Sequence, residues 1–262
     1  MEVSQHTEEL AVATCLLLML GMLAAFAIGR RAGLRHHRVD PEGARRLSGA
    51  VEGSIFSLLA LFIAFTFDGA ADRFEARRAL ITDEANAIDV AWKRLDLLAN
   101  ADQTVLRDDF RRYLDERLAF YGALPDSAAA MPHQQQAERI EASIWTHAVD
   151  AVSRAGNAGT TQVLLPAINQ VFDIAETRRM ALMTHPPLAI YGLMIALALI
   201  CSALAGHHTS PSAKHPLALP LLFAGISSVA IFIILDLEYP RGGLIRIDSA
   251  DVLLRDLRAL MK

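Results

Sequence analysis

The chain has few of the residues on which soluble enzymes and secreted domains rely. Its 262 residues include two cysteines, and aromatic residues make up 6%. Cys15 and Cys201 both lie inside apolar runs, which excludes a disulfide framework and a cysteine-based zinc site. The GxSxG, HExxH, P-loop and GxGxxG motifs are also absent, so the sequence indicates no nucleophile elbow, metalloprotease helix or nucleotide-binding loop. We therefore expect no enzyme, no cofactor and no metal site.

Four long apolar runs dominate what is present. Hydrophobic residues reach 53% and the mean hydropathy is +0.30. The excess is concentrated in residues 10–28, 48–67, 186–205 and 216–235. Each run is about as long as the ~20 residues with which an α-helix crosses a hydrocarbon core of ~30 Å. Because lipid offers no hydrogen-bond partners to the backbone, the runs predict four transmembrane helices and an integral membrane protein.

The charges beside the runs predict their orientation. The residues before the first run are acidic, whereas a secretory signal begins with a basic stretch, so we interpret this run as a retained span. Residues 30–46 carry six arginines against two acids, and a short loop with that excess stays in the cytoplasm. The loop 206–216, which holds Lys214 and no acid, belongs on the same side. We therefore predict that the N- and C-termini lie outside the cytoplasm.

The interval 70–184 reads as helical and lies outside the membrane. Phe74, Ile81, Ile88 and Leu95 recur every seven residues, which predicts a heptad-like apolar seam. Three further positions fall between them at the four-residue step: Arg78, Ala85 and Trp92. The seam begins six residues after the second run ends, so we expect the span and this helix to be one continuous rod.

Three more helices complete a predicted bundle. Asn100 or Asp102 can cap the second helix, the third follows Pro132, and the loop 153–161 precedes the fourth. Because an even number of antiparallel helices returns the chain to the membrane face that it left, four helices fit this segment. The predicted fold class is all-α, with four transmembrane helices and an extramembrane antiparallel four-helix bundle. The predicted segments are 1–69, 70–184, 185–236 and 237–262.

Acidic residues mark the membrane ends of the second and fourth runs. Asp68 closes the second run, and Asp236 and Glu238 close the fourth. Carboxylates so close to hydrocarbon are costly unless they face protein, water or a cation. A ring of them repeated by symmetry would attract cations at a pore mouth. The alternative is that they anchor the helix ends, with Asp68 paired to Arg73 and Asp236 to Arg241.

Glu52 is a second acidic candidate, because it lies inside an apolar run. Only 15 residues, 53–67, separate Glu52 from Asp68, and all of them are uncharged. Since this is shorter than the ~20 residues of a full span, Glu52 has two possible positions. It either sits a turn inside the bilayer, where an acid is a functional candidate, or reaches the headgroups beside Arg45 or Arg46.

Histidines cluster in the two short loops. His36 and His37 belong to one loop, and His207, His208 and His215 to the other. Imidazoles can bind transition metals, but no adjacent acid or thiol completes a ligand set here, so we expect no metal. The absence of a histidine in the middle of any span argues against a haem-bearing bundle.

Two longer strings resemble a known family. LALFIAFTFDGAADRFEARRALITDEANAIDVAWKRLDLL begins inside the second run and continues beyond it, and DLEYPRGGLIRID follows the fourth. Together they are similar to the bacterial bestrophin-like domain family of four-span proteins, over about residues 53 to 247. The matching positions are Phe65, Phe67, Arg73, Phe74, Arg77, Arg78, Glu84, Asn86, Asp236, Pro240, Arg241 and Gly243. The resemblance implies a protein of the bacterial inner membrane and kinship with bestrophins, which are pentameric channels.

Within that resemblance, charged residues form an expected junction collar at the exit of spans two and four. Its members are Arg73, Arg77, Arg78, Glu84, Asn86 and Arg241. The arginines and acids of the collar can pair with one another. The collar would then either form the entrance of an ion path or only stabilise the junction between the helices.

These expectations favour a homo-oligomeric ion channel or channel-like protein, surrounded by membrane lipid and passing inorganic ions. Cations are favoured because acids dominate at the membrane boundary. The alternative is a membrane-anchored sensor or assembly scaffold, whose extracytoplasmic bundle would need a separate signalling partner. An enzyme acting on lipid would lack a visible nucleophile or metal set. Nucleic-acid binding is not expected, since topology explains the basic loop.

Overall fold

Helices and short turns build the chain. The computed structural model describes residues 2–39, 49–209, 218–248 and 250–261, and no strand occurs among them. The helices are α1 (Glu2–Val39), α2 (Gly49–Arg94), α3 (Asn100–Ala123), α4 (Ser127–Ala155), α5 (Ala158–Met183), α6 (Leu188–His207), α7 (Ala218–Glu238) and α8 (Val252–Leu260). A single 3₁₀ turn, Leu95–Leu97, separates α2 from α3. The all-α prediction is confirmed.

Four of these helices are long and apolar enough to cross a membrane, as the sequence predicts. The apolar stretches lie within Val12–Arg35, Val51–Leu97, Ala158–His207 and Ala218–Glu238. α2 has 46 residues and is continuous, which confirms that the second span and the first bundle helix are one rod. At 1.5 Å per residue this rod is about 69 Å long. Pro186 and Pro187 lie in the break between α5, which ends at Met183, and α6, which begins at Leu188.

The chain divides into two units. The bundle unit contains Arg73–Thr184 and Pro240–Lys262, together with Met1–Ser4, and the span unit contains Gln5–Asp72 and His185–Tyr239. The division falls inside α2, between Asp72 and Arg73. It assigns the C-terminal segment to the same unit as the bundle helices.

The heptad seam of α2 forms part of the core of the bundle unit. Ile81, Ile88 and Leu95 are fully buried, and Phe74 and Trp92 pack against the same core. α3, α4 and α5 supply the remaining layers, and Ile247, Leu254 and Met261 of the C-terminal segment complete the core. One seam position was predicted wrongly: the side chain of Arg78 is 62% exposed. The buried guanidinium belongs to Arg77 instead.

The start of α3 differs from the prediction. The residue that caps α3 is Ala99, which offers no side-chain acceptor, and Asn100 is already helical. Asp102 lies in the first turn, where a carboxylate interacts favourably with the helix dipole. The expected side-chain cap is therefore wrong, and Asp102 pairs across the hairpin with Arg154 at 2.6 Å.

The turns on either side of α4 are shorter than predicted. Asp126 caps α4 by accepting hydrogen bonds from the backbone N–H groups of Ala128 and Ala129 at 3.0 and 3.1 Å. The helix then runs through Pro132 instead of beginning after it. α4 ends at Ala155, and Gly156, with φ of 60°, makes the turn that a side chain would strain. The predicted loop 153–161 thus shrinks to residues 156 and 157.

Glycines allow α1 and α6 to pack closely in the span unit. A Cβ atom added to Gly29 would lie 1.9 Å from the carbonyl oxygen of Ala203, and one added to Gly33 would lie 2.1 Å from that of His207. On the facing helix, a Cβ atom on Gly206 would lie 2.1 Å from the carbonyl oxygen of Phe26. Small residues permit this approach where lipid provides no hydrophobic drive for association.

Candidate functional site

Asp68 lies on the open side of α2. Leu58, Leu61 and Phe65 are exposed by 49, 52 and 68%, and Asp68, which follows them at the next helical step, is exposed as well. These four residues share one face because they are spaced three or four residues apart. The opposite face carries Leu59, which is 2% exposed and packs within the span unit. The structure therefore places Asp68 at the end of an uncovered apolar face.

Asp236 and Glu238 occupy a different environment at the end of α7. They are 5 and 1% exposed, so both carboxylates are buried within the fold. Glu238 lies 3.4 Å from Nδ1 of His185, and the His185 ring stacks on Tyr239 with centroids 4.8 Å apart. Burial of these two acids favours a structural role at the membrane boundary over a position on an open path.

Glu52 lies on the packed face of α2 and contacts His208 at the end of α6. The sequence did not predict this pair, because no acid is adjacent to these histidines in the loop sequence. Nδ1 of His207 lies 3.3 Å from Nε2 of His208, which extends the contact by one ring. Arg45, Arg46 and His215 lie outside the described residues, as do the side chains of His36 and His37. No group of three potential metal ligands occurs in the part of the chain that the structure describes.

The predicted collar divides into three kinds of residue. Arg77 donates hydrogen bonds from Nε to the carbonyl oxygen of Ala181 at 3.0 Å and from a terminal nitrogen to that of Thr184 at 2.9 Å. It thereby satisfies carbonyl groups at the C-terminal end of α5. Arg78 and Asn86 are exposed, and Arg73 is half-buried. Glu84 and Arg241 are buried and belong to a larger network that the sequence did not predict.

Glu84 is the acid at the centre of that network. It is 0% exposed, and its two oxygens accept from Nε of Arg117 at 2.7 Å and from a terminal nitrogen of Arg178 at 2.6 Å. Arg117 and Arg178 are 1 and 3% exposed. A carboxylate with one guanidinium on each oxygen makes short, charge-assisted hydrogen bonds. This contact ties α2 to α3 and α5.

Asp251 continues the network into the C-terminal segment. It accepts from Arg178 at 2.7 Å and from Arg241 at 2.8 Å. Arg241 also lies 3.2 Å from Asp248 and donates to the carbonyl oxygen of Tyr121 at 3.2 Å. Charges therefore alternate along one connected chain of contacts. Its order is Arg117, Glu84, Arg178, Asp251, Arg241 and Asp248.

The ring of Tyr121 lies among three guanidinium groups. The guanidinium carbons of Arg178, Arg241 and Arg117 lie 3.5, 4.8 and 5.0 Å from its centroid. The hydroxyl group of Tyr121 accepts a hydrogen bond from Arg117 at 2.9 Å. Cations are attracted to the face of an aromatic ring, and more strongly when water is excluded. Tyr121 thus compensates part of the cost of burying three positive charges.

Burial and neighbouring charges determine the protonation of this region. Burial raises the pKa of Tyr121, and it raises the pKa of Tyr113 well above its ordinary value. Burial alone would lower the pKa of Arg117, but the adjacent carboxylate of Glu84 reverses this, and the net pKa is well above its ordinary value. The arginine therefore stays charged and both tyrosines stay neutral near physiological pH.

A signal for the missed residues was present in the sequence. The apolar stripe of α3 contains Phe110, Leu114 and Tyr121, and Arg117 occupies the position between them. The stripe of α5 likewise continues through Val171 and Ala175 to Arg178. An arginine at a core position of a helical stripe predicts a buried acid. The partner Asp251 could not be identified, because it lies 73 residues from Arg178 in the sequence.

Comparisons with known proteins give a consistent family assignment. The profile of the bestrophin-like domain matches residues 14–252. No curated protein sequence matches. A bestrophin homologue from Klebsiella pneumoniae, solved by zinc phasing, has a TM-score of 0.67 at 14% identity, covering 95% of this chain and 98% of that one. A tryptophan-to-alanine mutant of the Klebsiella pneumoniae homologue has a TM-score of 0.70 at 12% identity, covering 96% of each chain.

The solved structures, at these identities, establish a shared fold. The family profile covers most of the sequence, and it includes both strings that carried the resemblance. This confirms the predicted family. The chain therefore belongs to the bestrophin-like family of membrane proteins.

Proposed function

We propose that this chain forms a homo-oligomeric ion channel in which α2 faces the ion path. The observation that carries the proposal is how little of the apolar part of α2 the chain itself covers. Only 11% of that stretch is buried, against 17% in α1, 28% in α7 and 33% in the span that ends at His207. The uncovered surface of α2 must therefore face lipid, a neighbouring copy or an ion path between copies. Kinship with bestrophins favours the arrangement around a path.

Asp68 provides the expected ion preference. It is an exposed acid at the end of the α2 face that contains Leu61 and Phe65. Copies arranged around an axis would repeat this carboxylate as a ring, and acidic rings attract cations. Asp236 and Glu238 are buried, so we expect them to influence the path less than Asp68 does.

The test is the reversal potential of purified protein in planar bilayers under a potassium chloride gradient. Asp68→Asn should lower the permeability of cations relative to anions. The difference should be larger at about 0.1 M than at about 1 M salt, because the Debye length falls from about 10 Å to about 3 Å. Asp256→Asn removes an exposed acid from α8 and serves as the matched control, with no change expected.

Two results would count against this proposal. A well-folded oligomer that passes no current would contradict the channel function. Co-purification of a signalling partner would then favour the sensor or scaffold alternative. Current without any effect of Asp68→Asn would preserve the channel and remove Asp68 from the path.

The same proposal includes location and orientation. We place the protein in the bacterial inner membrane with both termini outside the cytoplasm, supported by the arginine-rich sequence after the first span. Reporter fusions at Arg38 and Asp126 should then report opposite compartments. Fusions that report a single compartment for both positions would contradict the orientation.

Assembly can be tested before any current is recorded. We expect the detergent-solubilised protein to be a closed homo-oligomer with bound lipid, since ring symmetry is what places α2 around an axis. The protein part of the measured mass should be at least twice the 28.6 kDa of one chain. A monomer would leave the uncovered face of α2 to lipid alone.

A further inference from the structure

The segment that follows α7 forms a closed loop with an apolar tip. The loop comprises residues 240–247, and the backbone N–H of Ile247 donates to the carbonyl oxygen of Pro240 at 3.2 Å. This hydrogen bond brings the two ends of the loop together. Leu244 and Ile245 lie near the middle of the loop, and they are 56 and 36% exposed. The loop therefore presents two adjacent aliphatic side chains at its tip.

The ends of this loop are held within the bundle unit. Ile247 is 3% exposed and belongs to the core, and Arg241 is 6% exposed and pairs with Asp251 at 2.8 Å. Arg246, directly after the tip, pairs with Asp248 at 2.6 Å. The apolar tip is thus carried by a loop whose base is packed and paired.

Two adjacent aliphatic side chains on a loop tip indicate a contact surface. Single exposed apolar residues are normal on soluble proteins, whereas neighbouring ones mark sites that bind another protein, a ligand or a membrane. Leu244 and Ile245 have polar neighbours in Arg246 and Asp248, which form a charged rim on one side of the tip. An apolar tip with a charged rim suits an environment that is itself divided into an apolar and a polar layer.

Chain length keeps this tip close to a membrane span. α7 is long and apolar enough to cross a bilayer, and it ends at Glu238. Leu244 follows six residues later, and an extended chain spans at most ~3.6 Å per residue, so the tip lies within about 22 Å of the end of the span. Between them, Tyr239 is 52% exposed, and tyrosine is enriched where membrane meets water.

A second exposed apolar surface of the bundle unit also adjoins a span. Met180 and Met183, in the last turn of α5, are 51 and 64% exposed. Their spacing of three residues places them on one face of the helix. The next helix, α6, begins at Leu188, which is 81% exposed. Exposed apolar residues therefore occur at both connections of the bundle unit to α6 and α7, which favours lipid as the common partner.

We propose that the loop 240–247 docks on the surface of the phospholipid bilayer. Leu244 and Ile245 insert to the boundary between headgroups and acyl chains, and Arg246 with Asp248 stays among the headgroups. The bundle unit thereby gains a contact with lipid in addition to its covalent connections to the spans. This proposal requires a membrane protein but no ion path, so a failure of the channel proposal would not affect it.

The test is quenching of an added tryptophan by lipid. Leu244→Trp is reconstituted into phosphatidylcholine vesicles with or without bromine near the top of the acyl chains, and the wild-type fluorescence of Trp92 and Trp145 is subtracted. A side chain about 5–10 Å into the boundary should lose about half or more of its added fluorescence to the brominated lipid. Leu253→Trp is the matched control, because Leu253 on α8 is 46% exposed, and it should lose little.

Acrylamide, a water-soluble quencher, separates the results that would overturn the proposal. An added tryptophan that acrylamide quenches and brominated lipid does not would face water. One that neither quenches would be covered by protein, which indicates a second copy. Equal quenching of the Leu244 and Leu253 variants by brominated lipid would show that the loop has no preferred contact. If Leu244→Trp does not fold, Ile245→Trp takes its place with the same expected result.

Discussion

At the scale of single residues, the bundle unit has charged side chains at buried helix positions where apolar side chains are usual. Arg117, Arg178 and Glu84 are at most 3% exposed. Buried ion pairs add little net stability compared with apolar packing, but removing one partner leaves the other as an unpaired buried charge. The members of this network should therefore be more sensitive to substitution than the exposed pairs of the same helices.

Glu84→Gln tests this expectation. The substitution removes the negative charge between Arg117 and Arg178, and we expect a loss of about 3–5 kcal/mol in the free energy of unfolding. Glu176→Gln is the matched control, because Glu176 pairs with Arg179 at an exposed site and should cost about 1 kcal/mol or less. Thermal unfolding of both variants in detergent makes the comparison. Equal losses would show that Glu84 has no special role.

Glu141 should make the stability of the bundle depend on pH. Burial raises the pKa of Glu141 above its ordinary value in the fold, although Arg117 opposes this. As the pH rises from the unfolded-state pKa towards the folded-state pKa, the unfolded chain releases its proton first. Stability contributed by this residue therefore falls over that interval.

Glu141→Gln should remove that cost. We expect the variant to gain thermal stability relative to wild type at neutral pH, with a smaller gain or none below the unfolded-state pKa of Glu141. Glu138→Gln, at an exposed position on the same helix, serves as the control. Melting curves over a series of buffers measure the effect. A gain that is independent of pH would contradict the assignment.

At the scale of elements, the contact between α1 and α6 depends on glycine. A Cβ atom on Gly206 would overlap the backbone of Phe26, whereas one on Gly192 of the same helix meets nothing within 4 Å. Gly206→Ala should therefore force the helices apart and lower stability by about 1–3 kcal/mol. Gly192→Ala should leave stability unchanged or raise it slightly, since alanine favours helix. Detergent unfolding of the two variants tests the difference.

The elements show how much of the fold follows from sequence. Hydropathy predicts the four spans because each must satisfy a length set by the bilayer, and the seven-residue recurrence of Ile81, Ile88 and Leu95 predicts the rod. The start of α3 was predicted wrongly, since a polar residue such as Asn100 can cap a helix or begin it. Pro132 misled the prediction of α4 because proline inside a helix removes a backbone hydrogen bond and usually marks a boundary, whereas α4 begins at Ser127 and continues through it.

The candidate site was less predictable for a physical reason. Asp68, Asp236 and Glu238 look alike in sequence, since each is an acid at the end of an apolar run. Their burial depends on contacts between distant segments, and it separates an exposed acid from two buried ones. The contact between Glu52 and His208 also joins two distant segments, so the sequence could not predict it. The depth of Glu52 in the bilayer stays a prediction. The ion path itself stays a proposal.

At the scale of the whole molecule, the C-terminal segment is part of the bundle. Deleting residues 240–262 would remove Asp251 and Arg241 and leave Arg178 with Glu84 alone. It would also remove the apolar side chains of Leu254 and Met261 from the core. We expect the truncated protein to unfold at lower temperature and to be cleaved faster by protease within α3–α5. Asp256→Asn, on the exposed side of α8, should behave like wild type.

The contact of Arg178 with Asp251 also fixes an order of events during synthesis. Arg178 leaves the ribosome 73 residues before its second acid. At 5–20 residues per second, that interval lasts about 4 to 15 s. For this period the nascent bundle holds more buried positive charge than its acids can neutralise, and both remaining spans must be inserted meanwhile. Completion of the bundle is therefore postponed until the last two spans have been synthesised, which exposes the unfinished domain to chaperones and proteases at the moment of membrane insertion.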